Sequence, residues 1–462
     1  MDGTAMEIPL TRHLASFCHN LRYENLPPEV VDRTKYFFLD YLGVAVRGSL
    51  SDSSESVHRL SVDLGGKGKA TVLGRTEKVA FPYAALANGT SAHSIELDDT
   101  HQGGSIHLGV SVFSAALAIA EQIGASGKDF ITAAVAGFDV AARLAMALRP
   151  KEHYTRGFHP TATCGTFGSA VAAAKLLGVG ESQLVSALGI AGSQTAGSME
   201  FLTDGAWTKR LHPGWAAFSG IHAALLAREG FIGPTTIIEG KDGFLKAYSS
   251  HAGPRKITDG LGSDFQILQT AVKPHSCCRY TQAPIDATLQ LVNAHNLQPQ
   301  DIQHITIGML ETGIPVICEP AERKRQPLGI VDAQFSLPFG IAVALIKRRA
   351  GLEEFSRPML NDALVQELMA KVGYVHDPEL EKNYPREWPA WARASLKDGR
   401  EVFAHVRFPK GDPENPLSWE ELIEKYRGLT AAVWSPGKVS QVQAAVQAIE
   451  QETNVQNFAA CL

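Results

Sequence analysis

The densest run of chemistry-bearing residues is His93-Ser-Ile-Glu96-Leu-Asp98-Asp99-Thr100-His101-Gln-Gly103-Gly104-Ser-Ile-His107-Leu-Gly109. Carboxylates, imidazoles and a threonine stand here beside a Gly-Gly loop that leads straight into an apolar helix. Glycine permits positive φ and close backbone approach, and a helix start offers N–H donors, so the segment suits a site wall facing an anion. His107 reads as an acid-base group. Asp98 and Asp99 suit either a site or a capped loop with solvated carboxylates, and His93 suits a satisfied core histidine. Clustered His and Asp also raise a zinc or iron site, but His93, Asp98, Asp99, His101 and His107 follow no recognised ligand spacing, so no metal is expected.

Three more polar islands follow. In Arg156-Gly-Phe-His159-Pro160, His159 suits an acid or base, or a loop histidine packed on its proline. In Thr208-Lys209-Arg210-Leu-His212-Pro213, Lys209 suits carboxylate binding at a helix start, or a solvated Lys-Arg pair. Lys273-Pro-His275-Ser-Cys277-Cys278-Arg279-Tyr280 falls at an expected junction between domains, where ligand clefts form. Its adjacent cysteines read equally as small buried side chains. There is no G-x-G-x-x-G after a strand, no G-x-x-x-x-G-K-[ST], no H-E-x-x-H and no G-x-S-x-G, so nucleotide-cofactor and serine-hydrolase chemistry lack their usual support.

The elements that must position these residues are mostly helices. From Thr11 to about Ser250 apolar residues recur three and four apart, with helices expected at Pro28 to Val46, Val110 to Gln122, Lys128 to Leu148 and Thr166 to Leu177. After about Gly253 the pattern mixes. Strands are expected at Asp301 to Leu310 and on either side of Asp398-Gly399, a dipeptide suited to a type I′ turn. Helices are expected at Thr281 to Ala294, Ala333 to Arg348 and Asn361 to Lys371. Ser418-Trp-Glu-Glu421 has the capping-box pattern of a returning helix. The expected fold is mainly α: a large all-helical domain from 1–264 and 411–462, and a smaller α+β lid domain from 265–410.

Composition narrows the function classes. With 43 basic against 48 acidic residues among 462 and no basic block, the chain is not expected to bind nucleic acid. The most continuous apolar stretch, Phe335 to Ile346, is too short to cross a ~30 Å hydrocarbon core, so no membrane is expected. Met1 to Pro9 lacks the shape of a leader, which makes the cytoplasm the default. The six cysteines show no C-x-x-C spacing and are expected to be reduced.

Taken in order, S-I-E-L-D-D-T-H with I-H-L-G, G-F-H-P-T-A-T-C-G-T-F-G, T-K-R-L-H-P-G, K-P-H-S-C-C-R-Y, A-Q-F-S-L-P-F-G and F-P-K-G-D-P-E-N-P-L-S resemble the MmgE/PrpD family over nearly the whole chain. That family includes 2-methylcitrate dehydratases, cis-aconitate decarboxylases and iminodisuccinate epimerase. The resemblance implies a helical domain built from both chain ends, an α+β lid and a homodimer. It implies catalytic roles for His107, His159, Lys209, Lys273 and Asp98, and substrate contacts from Asp99 and Thr100. Read from their own chemistry and position, Arg156, Arg279 and Tyr280 are further candidates for holding a polycarboxylate. Glu96 departs from the family pattern, where Asp is frequent, and Leu108 stands where Pro is common. Cys278 aligns with a histidine of the decarboxylating members, which makes decarboxylation the least favoured family activity.

The shared chemistry removes a proton next to a carboxylate, which requires a base and fixed cations or donors for the resulting enolate-like charge. No cofactor is required. The leading expectation is a cofactor-independent hydro-lyase on a small polycarboxylate such as 2-methylcitrate. A polycarboxylate epimerase is the alternative, and a non-catalytic helical binding protein comes third.

Overall fold

The computed structural model describes residues 9–462. Residues 1–8, on which the reading of the N-terminus rests, lie outside them.

The expected helices form with small shifts at their ends. α1 (Pro28–Gly48) starts on Pro28, whose fixed φ suits the first turn, and it buries its apolar stripe against α2 (Phe81–Ala92) and α9 (Trp419–Thr430). α3 (Gly109–Ile123) and α4 (Gly127–Leu148) are separated by Gly124 in the left-handed region and by Ser126, whose hydroxyl caps α4 through Asp129 N. α4 is long and apolar enough to cross a bilayer by length and composition, and 94% of its apolar window is buried inside the protein.

α5 (Pro160–Leu176) begins six residues before the expected start, because Pro160 opens a helix that the apolar pattern marks only from its second turn. Its small residues let neighbours approach closely: a Cβ on Gly168 would sit 2.7 Å from the Gly137 carbonyl oxygen of α4. α6 (Thr208–Arg228) crosses the same bundle. The buried apolar residues of this bundle run from Leu14 to Val272 and resume from Leu417 to Leu462, so both chain ends share one core.

A second core holds residues from Cys277 to Val406, together with Phe201. It is built from α7 (Arg279–His295), α8 (Leu337–Lys347) and a sheet of β3 (Ile302–Met309), β4 (Val372–His376), β5 (Ala390–Leu396) and β6 (Glu401–Val406). The order is β4-β3-β5-β6, with β3 and β4 parallel and the other pairs antiparallel.

Three details depart from the sequence expectations. The helix expected over Ala333 to Arg348 is interrupted, because Ser336 caps Phe339 N at 3.1 Å and α8 restarts there with Pro338 in its first turn. The strand β4 was not anticipated: it follows directly on the helix Ala363–Ala370 and contains Gly373. The β5–β6 turn has three residues rather than the two of a type I′ turn. Leu396 N bonds Arg400 O, Gly399 N bonds Leu396 O and Gly399 takes φ 89°, so the glycine supplies the left-handed position after a tighter first bend.

Candidate active site

The acidic loop sits where the two cores meet. β1 (Thr100–His101) pairs antiparallel with β2 (Thr270–Ala271), with Thr100 opposite Ala271. Continuing that register outward brings Asp98 toward Lys273. The Lys273 Nζ lies 3.4 Å from Asp98 Oδ1 and 3.4 Å from Glu96 Oε2, and the lysine is fully buried.

The loop backbone is fixed from both sides. Ser276 Oγ and Gln334 Nε2 donate to the Ile95 carbonyl at 2.7 and 3.2 Å, while Lys425 Nζ from α9 donates to the Leu97 carbonyl at 2.8 Å. Between these anchors Glu96 adopts φ 55°, a conformation that costs about 1–3 kcal/mol for a non-glycine residue and persists only where its surroundings hold it.

Held there, Glu96 accepts from Lys209 Nζ, which comes from the first turn of α6, and faces Lys273 as well. Burial raises the Glu96 carboxyl, but the two lysines outweigh it and bring the group down to about 2. Burial also raises Asp98, and Lys273, His107 and His93 together hold it well below the usual carboxylate range. Burial lowers Lys209 despite Glu96, whereas Lys273 is raised because Asp98 and Glu96 overcome its burial.

Asp98 orients two imidazoles. Its Oδ2 lies 2.7 Å from His93 Nδ1 and 3.0 Å from His107 Nδ1. His107 Nδ1 is also 2.7 Å from the Asp99 carbonyl oxygen, which is only an acceptor, so Nδ1 is the donor there and Nε2 is the ring nitrogen free to exchange a proton. Nε2 has no hydrogen-bond partner among the described residues, and the ring borders a cavity. His159, just before α5, places Nδ1 3.0 Å from His212 Nδ1. Burial drives His159 well below its usual range, His93 to about 3 and His212 to about 4, so all three are neutral near pH 7.

The cavity measures about 40 Å³, room for a few waters at ~10–15 Å³ each. Its walls include Glu96, Thr100, His107, His159, Lys209, Arg279 and Tyr280, with Phe201 and Phe335 as apolar surfaces. One ring nitrogen from each of His93, His107 and His159 lies within 4.8 Å of the others, so among the described residues these three form the group that could hold a metal ion.

Of the residues expected from sequence, His107, His159, Lys209, Thr100, Arg279 and Tyr280 line the cavity, and Lys273 and Asp98 stand directly behind it. Asp99 does not face it. Its carboxylate accepts from Leu108 N and Gly109 N at 3.1 and 3.0 Å and so caps the start of α3, and its carboxyl is raised to about 7 by burial and by Asp98. Arg156 is exposed and is not among the residues lining the cavity, whereas Tyr154 two residues before it and His159 three residues after it both border it. Sequence reasoning named Glu96 and Cys278 without placing either among the site residues, and it left out the wall residues Ser105 and Tyr154. The signal for Glu96 was present, since it is one of three acids within a single short loop.

Family comparisons settle the wider relationship. The MmgE/PrpD N-terminal domain model matches residues 12–256 and the C-terminal domain model residues 275–451. The chain belongs to the MmgE/PrpD family. Its relatives align nearly end to end. A cis-aconitate decarboxylase-like protein, oryM, of Aspergillus oryzae is 28% identical over 98% of this chain and 97% of its own length. The cis-aconitate decarboxylase of Aspergillus terreus is 28% identical over 96% of this chain and 94% of its own. That of Homo sapiens is 27% identical over 96% and 92%. Membership of the MmgE/PrpD family, together with relatives named as decarboxylases, supports an enzyme of the lyase type.

Proposed function

We propose that this MmgE/PrpD protein is a cofactor-independent hydro-lyase: it takes a proton next to a carboxylate of a small polycarboxylate and expels the hydroxyl on the adjacent carbon as water, as a 2-methylcitrate dehydratase does. The observation that carries this reading is the convergence of one oriented imidazole, His107, with the buried ammonium of Lys209 on a single cavity.

In this reading His107 Nε2 takes the proton, with Asp98 stabilising the imidazolium that forms. The electron pair left on carbon spreads into the carboxylate, whose charge Lys209 neutralises. The carbon–oxygen bond then breaks, and the departing hydroxide takes a proton from His159 Nε2–H. His159 remains neutral by accepting at Nδ1 from His212 Nδ1–H, and His212 borders an open cleft of about 650 Å³ from which its proton is replaced. Before any of this the substrate carboxylate must displace Glu96 from Lys209. Lys273 keeps Asp98 ionised meanwhile.

Decarboxylation is the second reading, favoured by the relatives that carry that name. It is ranked below dehydration because Cys278 borders the cavity with its thiol raised by burial, and a neutral thiol is a poor substitute for imidazole as a proton donor. Epimerisation by reprotonation from the opposite face comes third. A homodimer belongs to the same proposal, supported by the exposed Trp215, Leu226, Phe231 and Ile232 on and beyond α6.

The test is proton NMR of 2-methylcitrate and of cis-aconitate with pure enzyme in D₂O. Loss of water from the hydroxy acid is the expected result. Carbon dioxide release from cis-aconitate would replace this reading with the second, and deuterium uptake with inversion alone would replace it with the third.

A further inference from the structure

Arg279 opens α7 with its side chain buried among the walls of the cavity. One nitrogen, Nη2, donates to Asp412 Oδ1, and the guanidinium lies 5.4 Å from the centre of the Trp388 ring. Nε and Nη1 have no partner among the described residues, although both are buried. Leaving donors of a buried cation unsatisfied is costly, and such groups usually mark a place where something else binds.

Asp412 is fully buried, and among the described residues it has no other cation and its Oδ2 is also without a partner. The loop that carries it is tied down by Val272 N to Gly411 O at 3.0 Å and Asn415 N to Asp412 O at 3.0 Å. Gly411 takes φ 93° there, and a Cβ would meet the Val272 carbonyl oxygen at 1.9 Å. Trp388, which faces the guanidinium, is itself held by stacking on Tyr280 with ring centres 4.5 Å apart. The arginine is therefore aimed before any ligand arrives.

We propose that Arg279 is a second carboxylate-binding subsite of the cavity, held in position by Asp412, and that it selects substrates carrying a carboxylate in addition to the one next to the reacting carbon. This rests on the polycarboxylate reading above and deepens it. Lys209 serves the carboxylate at the reacting carbon. Arg279 pairs with the other through charge-assisted hydrogen bonds, for which its planar donor set is better suited than an ammonium. Asp412 is a positioning residue and touches no substrate. A carboxylate at this place would satisfy donors that are now unpaired and supply the negative charge that a carbamoyl group of the same shape lacks.

The experiment is calorimetric titration of the full chain with glutarate and with glutaramate, the same molecule with one carboxylate replaced by an amide. Wild-type protein should prefer glutarate by roughly tenfold to a hundredfold. Arg279→Gln should abolish the preference while leaving glutaramate affinity within about threefold. Asp412→Asn should reduce the preference without an equal loss of glutaramate binding, which a merely structural role would not do, and Arg279→Lys should recover only part of it. A preference that survives Arg279→Gln overturns the subsite. Wild-type protein that binds both acids equally does the same, and binding of neither acid removes the polycarboxylate reading along with it. Unchanged melting temperatures in the variants exclude unfolding as the cause.

Discussion

Lys273 Nζ stands 3.4 Å from Asp98 Oδ1, although the lysine leads into the second core and the aspartate belongs to a loop of the first. This buried contact and the one to Glu96 place a single cation between two carboxylates. Removing one member of such a set leaves the others uncompensated. Lys273→Met should lower unfolding free energy by about 3–5 kcal/mol and abolish measurable turnover, as read by denaturant titration and assay.

The same ion set fixes the sign of the acid response. Glu96 is depressed from 4.5 to about 2, so the stability it contributes is fully present above its ordinary value and is lost as pH falls toward about 2. Glu96→Gln should flatten melting temperature against pH in that window relative to wild type. An unchanged acid limb would mean that Glu96 is not the paired group described here.

Asp99 makes an opposite case. Its carboxyl is raised to about 7, so its ionisation in the folded protein costs stability as pH rises from its ordinary 3.8 toward 7. Asp99→Asn keeps an oxygen for Leu108 N and Gly109 N. It should remain folded, melt no lower than wild type at pH 8, and keep KM within about threefold. A large rise in KM would return Asp99 to the substrate-binding residues.

Much of this site was legible in the sequence. Acids and histidines at close spacing ahead of an apolar helix marked the loop, and Lys209 and Lys273 were visible as cations, the first beside Arg210 at a helix start and the second just before Pro274. The helical bundle was equally plain, since a period of three to four residues survives in every long element. What was lost depended on three-dimensional neighbours. Asp98 and Asp99 are adjacent in sequence, yet one orients two imidazoles and the other caps α3, and composition cannot separate those tasks. Arg156 resembled Arg279 as a free cation, and only the fold exposes the first and buries the second. Strand β4 was hidden because five residues beside a glycine carry too short a pattern.

The joint placement of the acidic loop and Lys273 implies that substrate holds both together. A non-reacting polycarboxylate should slow hydrogen exchange in residues 96–109 and 265–285 in parallel, measured by mass spectrometry of peptides. Slowing in one segment alone would contradict a site shared by the two cores.

Lys209 and the histidines separate by kinetics. Lys209→Ala should raise KM strongly, because a charge-assisted contact is lost from the ground state as well. His212→Asn should lower kcat less than His159→Asn, since it removes only the outer member of the relay. Equal effects on kcat from both would place His212 in direct contact with the reaction.

The most direct measurement of the central claim is deuterium exchange at the carbon next to the substrate carboxylate, followed by NMR in D₂O for wild type and for His107→Asn. The wild type should exchange that hydrogen during turnover, and His107→Asn should slow the exchange by roughly 10²–10⁴ while still binding the polycarboxylate. Exchange at the wild-type rate in a folded His107→Asn variant would contradict the account and move the base to another residue of the cavity.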